Sequence, residues 1–199
     1  MRYPKLRELK EAIRALIKGP YTSKFPYRPH EPFERFRGKP LFHEEDCVGC
    51  GACFQVCPAK AIEMQDTGEK RVLSVSWDMC IFCGQCQANC LTGKGIILSQ
   101  EFDLATTGKR AELKQVIEKE LLLCSSCREI IAPREQILWV ARKLGVLSFS
   151  NASSVLFYLQ NLNLAFKEKD LLREKKEFLR SDRMKVLCPR CRREAVIKT

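Results

Sequence analysis

Eight cysteines between residues 47 and 90 fall into two runs of one spacing. Cys47–Pro58 reads CVGCGACFQVCP and Cys80–Leu91 reads CIFCGQCQANCL, so C-x2-C-G-x-C-x3-C occurs twice with starts 33 residues apart. Thiolates at this spacing are ligands for [4Fe–4S] clusters. Three cysteines two residues apart wrap one face of a cluster, and the fourth, on the short helix that follows, belongs to the other cluster. The crossing assigns Cys47, Cys50, Cys53 and Cys90 to cluster one, and Cys80, Cys83, Cys86 and Cys57 to cluster two. Gly51 and Gly84 sit inside the loops, where a side chain would obstruct close backbone approach. Pro58 closes the first run, whereas Leu91 stands at the matching place in the second. LTGKGI is also one residue longer than PAKAI before the next strand. That departure alters the rim near Cys90 and leaves the ligand set intact. Two structural zinc sites are the alternative, and they would need both complete runs to arise by accident.

Four more cysteines form Cys124-Ser-Ser-Cys127 and Cys188-Pro-Arg-Cys191, with 60 residues between the pairs. Paired x2 knuckles offer four thiolates in tetrahedral disposition, the arrangement of a structural zinc site. Closing so long a loop costs roughly 1 kcal/mol more than the usual spacer, against about 10–16 kcal/mol available from structural zinc. Mononuclear iron and free or redox-active thiols stay open as alternatives, although Arg128 and Arg192 stand where a single-iron site usually has glycine.

The elements that position these residues divide the chain into three segments. Residues 1–39 begin with a helix in which Leu6, Leu9, Ile13, Leu16 and Ile17 share one face among Lys and Arg, stopped by Gly19-Pro20. A basic amphipathic helix of this kind lies on a membrane surface, in a partner's groove, or on its own domain. Prolines from Pro20 to Pro40 then predict an extended arm. Residues 40–105 carry the repeat and short β-like runs at Arg71–Trp77 and Gly95–Ser99. The duplication predicts a pseudo-twofold domain, each half a strand, a cluster loop, a short helix and a returning strand. Residues 106–199, rich in Lys, Glu and Leu, read as a mostly helical extension that holds the zinc knuckles. The expected class is α+β, a ferredoxin-like core between two extensions.

Composition narrows the function. The net charge of +11 attracts nucleic acid, anionic lipid or an acidic protein, and part of it offsets the negative charge of the clusters. No apolar h-region or membrane-length stretch is visible, so a reducing compartment is expected. Only two histidines occur, and His30 and His43 lack ligand partners at helical spacing. With no Gly-rich phosphate loop and no C-x3-C-x2-C triplet, the chain reads as an electron conductor that catalyses nothing alone. A nucleic-acid role lacks an aromatic platform or recognition helix, and free ferredoxin carriers are typically short and acidic.

Across residues 20–105, the arm PYTSKFPYRPHEPFERFRGKP, the two cysteine runs with CIFCGQC, and GIILSQEFDLA together resemble the eight-iron subunit of respiratory complex I. They also resemble its relatives in membrane-bound [NiFe] hydrogenases. LLLCSSCREI and VLCPRCRRE look like the extension on the ferredoxin-type subunit of the formate hydrogenlyase branch. The resemblance is weakest from Gly145 to Arg183. It implies a peripheral electron-relay subunit on the cytoplasmic side of the cell membrane, within a complex that translocates protons or sodium. Implied partners are a neighbouring single-cluster subunit, a [NiFe] large subunit, a membrane ion-translocating subunit, and an acidic ferredoxin or other redox donor. A quinone-reducing complex and a free carrier are the alternatives. The N-terminal helix of that family lies along the membrane subunit.

Overall fold

The computed structural model describes residues 5–19, 22–165 and 178–198. Pro20, where the arm was expected to begin, and the stretch 166–177 lie outside the described residues. The chain divides into two compact units, Met1–Phe36 and Arg37–Thr199.

In the first unit, α1 spans Leu6–Lys18. The Lys5 N–H donates to Glu8 Oε2 at 3.1 Å at its start, and Gly19, at φ 75°, ends it with an N–H bond to Ala15 O. Its apolar stripe is exposed throughout, Ile13 being the most covered at 49%. Residues 22–36 form turns and irregular backbone with no strand or helix.

In the second unit the duplicated halves are visible as paired elements. The first half is β1 (Pro40–Phe42), α2 (Ala52–Gln55) and β2 (Ile62–Thr67); the second is β3 (Lys70–Ser76), α3 (Gln85–Ala88) and β4 (Ile96–Leu98). The outer strands pair with each other, β1 antiparallel to β4, and the inner ones pair as a hairpin, β2 with β3. Phe42, Ile62, Leu73, Val75 and Ile96 meet between them with Cys47, Cys53 and Cys86 in one apolar core.

The extension departs from the sequence expectation. Lys114–Leu123 was read as part of a mostly helical segment, but it is the ten-residue strand β5. It pairs antiparallel with β3 from Ser76↔Lys114 to Lys70↔Glu120, giving the sheet order β2-β3-β5-β6, with β6 at Ile130–Pro133. The Glu/Lys/Leu content of EKELLL favours helix, but the burial alternates along the strand. Ile117, Lys119 and Leu121 are buried while Val116, Glu118 and Glu120 are exposed, the period of a pleated strand laid on a core. Tertiary pairing overrides the propensity because β3 would otherwise expose an open edge. The sheet therefore combines strands from both sides of residue 105. Helices follow as expected further on: α4 (Arg134–Leu144), α5 (Ala152–Asn161) and α6 (Pro189–Ile197).

Strand β5 is stitched to β1 by one side chain. Gln115 Oε1 accepts from the Phe42 N–H at 2.8 Å and its Nε2 donates to Phe42 O at 3.0 Å. Replacing it by Ala leaves both Phe42 groups without that partner, at a cost of about 1–3 kcal/mol per buried group. Gln115→Ala is expected to lower the melting temperature of the cluster-loaded protein while its iron content stays at the wild-type value.

Candidate metal centres

Each cysteine run folds through the same backbone. In the first loop Gly49 and Gly51 take positive φ, 69° and 76°; in the second Phe82 and Gly84 take 53° and 80°. The first position of each pair turns the loop, and the second starts the short helix, α2 or α3, that carries Cys53 or Cys86. Phe82 adopts with a full side chain a conformation that glycine takes freely, at a cost of about 1–2 kcal/mol. Strain of this kind persists where a site over-determines the backbone.

Two cavities lie against the shared apolar core. One is lined by Cys47, Cys50, Cys53 and Cys90, backed by Phe42, Leu73 and Ile96. The other is lined by Cys57, Cys80, Cys83 and Cys86, backed by Pro40, Ile62 and Val75. The last cysteine of each run thus lines the cavity of the other. Burial pushes the Cys53 thiol up to about 12, helped by Cys47, Cys50 and Cys86, and Cys86 up to about 11. Such thiols become thiolates at neutral pH when a metal takes the place of the proton. At Cys90 burial also acts upward, but donors from Thr92, Gly95 and Ile96 outweigh it and hold the thiol below its ordinary value. The Phe82 N–H reaches Cys80 Sγ at 3.4 Å. Sulfur ligands with backbone donors aimed at them, against an apolar wall, suit iron–sulfur clusters.

Sequence reasoning missed the charged groups that brace these loops. Arg71 holds Asp66 bidentately at 2.7 and 2.9 Å and donates to Gly49 O at 3.0 Å. Arg37 donates to Cys83 O at 3.0 Å. Lys119 reaches Glu44 O and, at 2.8 Å, Glu135 Oε2. Neither Arg71 nor Lys119 lies near a cysteine in sequence, so only the pairing of β3 and β5 brings them in. His43 contributes backbone alone, its N–H donating to Gly95 O and its carbonyl accepting from the Cys47 N–H; its side chain, like that of His30, is exposed.

The remaining four cysteines also meet. The Sγ atoms of Cys124, Cys127, Cys188 and Cys191 all lie within 4.8 Å of one another, with Cys127 and Cys188 at 3.7 Å. A regular tetrahedron of thiolates about 2.3 Å from a central metal has edges of about 3.8 Å, so the separations fit such an ion. Cys124 directly follows β5 and Cys188 caps α6, accepting from the Cys191 N–H. Arg128 turns the first knuckle at φ 62° and donates its N–H to Cys124 O at 3.0 Å. Burial raises Cys188 and Cys191, whereas at Cys124 the N–H groups of Cys188, Cys127 and Ser126 overcome burial and lower it.

The fold and its cavities define a two-cluster ferredoxin-type protein, and the profile of the 4Fe-4S dicluster domain matches residues 33–94. Over 132 residues the chain is 35% identical to formate hydrogenlyase subunit 6 of Escherichia coli, covering 63% of this chain and 70% of that subunit. It is 34% identical over 131 residues to NADH-quinone oxidoreductase subunit I 2 of Geobacter metallireducens, covering 60% of this chain and 96% of that one. Against NAD(P)H-quinone oxidoreductase subunit I of Gloeobacter violaceus the identity is 33% over 93 residues, and the chain spans 44% of that relative's length. A chain in the membrane-bound sulfane sulfur reductase, an archaeal respiratory membrane complex, superposes with a TM-score of 0.41 at 33% identity, covering 57% of this chain and 62% of that one. The chain belongs to the family of iron–sulfur subunits that contains formate hydrogenlyase subunit 6 and the subunit I of NADH-quinone oxidoreductases.

The loop glycines give a direct test of the geometry. A Cβ on Gly51 would lie 2.7 Å from Met64 Sδ, whereas Gly68, at φ 60° in the β2–β3 turn, has open space around it. Gly68→Ala bears only the cost of a left-handed residue, about 1–2 kcal/mol. Gly51→Ala is expected to lose iron selectively from one cluster, while Gly68→Ala keeps the full complement by iron and sulfide assay.

Proposed function

We propose that the chain relays electrons through two [4Fe–4S] clusters, one held by Cys47, Cys50, Cys53 and Cys90 and the other by Cys80, Cys83, Cys86 and Cys57. The observation that carries this reading is the exchange of Cys57 and Cys90 between two cavities that share one apolar wall. The clusters supply one-electron carriers. The chain's own residues keep them dry, fix their separation and aim N–H donors at the sulfurs. Among the described residues no Asp, Glu, His or Lys lines either cavity, which suits a conductor within a larger oxidoreductase.

The setting we infer is a membrane-bound [NiFe] hydrogenase of the formate hydrogenlyase type, related to complex I. Support comes from the 35% identity to formate hydrogenlyase subunit 6, which runs over 132 residues and so extends beyond the dicluster match at 33–94. The subunit would sit peripherally on the cytoplasmic side, next to a single-cluster subunit and the [NiFe] large subunit, and receive or deliver electrons at a donor module such as an acidic ferredoxin. Among the described residues no helix is long and apolar enough to cross a membrane. The exposed stripe of α1, flanked by Lys5, Arg7, Lys10, Arg14 and Lys18, suits a contact with the membrane subunit or anionic headgroups. A quinone-reducing complex is the second reading, favoured by the match that covers 96% of a NADH-quinone oxidoreductase subunit I.

We assign Zn²⁺ to Cys124, Cys127, Cys188 and Cys191, where it would close the extension into a fixed shape for docking. The convergence of the four sulfurs within 4.8 Å of one another and the buried, donor-rich Cys124 support this.

Anaerobically purified protein should carry about eight iron and eight labile sulfide, with about one zinc. Deleting residues 1–18 should leave those metals in place and move the subunit from the membrane fraction to the soluble one. Retention of the truncated chain on membranes would remove α1 from the proposed role, and about nine iron without zinc would overturn the zinc assignment.

A further inference from the structure

Lys119 is the one buried cation among the described residues, 5% exposed on the inner face of β5. It lies against the first cysteine loop. Its ammonium donates to Glu44 O, three residues before Cys47, and pairs with Glu135 at 2.8 Å. Its stem packs on the loop itself, since a Cβ on Gly49 would stand 3.1 Å from both Lys119 Cβ and Cγ.

Among the described residues no cation is buried against the second cysteine loop. Lys39, beside Pro40 of that cavity's wall, is partly covered but lies over the Trp77 ring and pairs with Glu101, and Arg37, which donates to Cys83 O, is exposed to solvent. Arg71 at the first cavity is matched one-to-one by Asp66 in a bidentate pair, so its net field is small. Lys119 and Glu135 do not cancel in the same way. The ammonium is buried, while the carboxylate is half exposed and screened by water. Glu118 and Glu120 pair with Lys70 and Arg134, and with Glu44, Glu45 and Asp46 they border the open hollow beside Lys119, where water screens their charge.

We propose that Lys119 is a positioning and potential-setting residue for the cluster of Cys47, Cys50, Cys53 and Cys90, making that cluster the easier of the two to reduce. This rests on the ligand assignment above. Reduction adds a negative charge, and a fixed buried cation favours the more negative state. The consequence is a built-in direction: two near-identical repeats are made unequal by a strand from outside the repeat.

The test is an EPR-monitored redox titration of the whole cluster-loaded chain. The two signals are first assigned with Cys50→Ser in the first loop and Cys83→Ser in the second, and Cys57→Ser is then expected to alter the signal that Cys83→Ser alters. Lys119→Met is expected to move the midpoint of the other cluster to more negative potential and leave its partner nearly in place. Glu135→Gln, at a half-exposed site that spares the fold, is expected to move the same midpoint to more positive potential. Lys119→Arg should restore the wild-type value. A purely structural role would give shifts of one sign in both variants and would not be rescued by Arg. The proposal is overturned if Lys119→Met leaves the midpoint unchanged, if Glu135→Gln moves it down, or if both clusters shift together. Failure of the ligand assignment is separately visible, because Cys57→Ser would then alter the signal that Cys50→Ser alters.

Discussion

Each cluster loop surrenders its last cysteine to the other half of the domain, and the rest of the architecture follows from that exchange. Cys57 lies beyond α2 and Cys90 beyond α3, so neither cavity is complete within one repeat. The two halves must therefore fold against each other before either set of four thiols is assembled. The antiparallel pairings β1–β4 and β2–β3 do this, and they place Phe42, Leu73 and Ile96 behind one cavity and Ile62 and Val75 behind the other. The wall is apolar because the thiols have to be kept from water, and the same burial raises Cys53 and Cys86 far above their ordinary range. A loaded cluster releases that penalty, so folding and cluster insertion are linked in one equilibrium.

Strand β5 joins the ferredoxin repeat to the extension. It covers the edge of β3, fixes β1 through Gln115, and lays Lys119 against the first loop. One residue past its end begins the four-cysteine site, which draws β5 and α6 together over Leu187 and Ala195. Arg192 adds to this corner, donating to Ser153 Oγ at 2.9 Å and to the carbonyls of Arg183 and Lys185. A single strand thus carries the mechanical link between two metal-binding regions, with Lys119 near its middle and Cys124 just past its end.

The thiol chemistry was legible in the sequence because it depends on local spacing. Both runs, the repeat, α1 and the two short strands flanking the second loop could be read from residues a few places apart. The convergence of Cys124, Cys127, Cys188 and Cys191 was readable from the knuckle pattern despite the long spacer. What was not legible depends on partners distant in sequence. KQVIEKELLL has the composition of a helix, and only the waiting edge of β3 makes it a strand. Nothing local distinguishes Lys119 from the other lysines of its segment, and only that pairing turns it inward. Phe82 shares a loop position with Gly49, and its positive φ follows from the shared ligand geometry and not from its own preference. The protein breaks local rules at the metal-facing residues, where the ligands impose their own geometry.

The central claim is the crossed ligation, and anomalous scattering from crystals of the loaded protein tests it most directly. Maps recorded on either side of the iron edge should place one iron peak among the sulfurs of Cys47, Cys50, Cys53 and Cys90, and a second among those of Cys57, Cys80, Cys83 and Cys86. Density joining Cys57 to the same peak as Cys53, or Cys90 to the same peak as Cys86, would contradict the account.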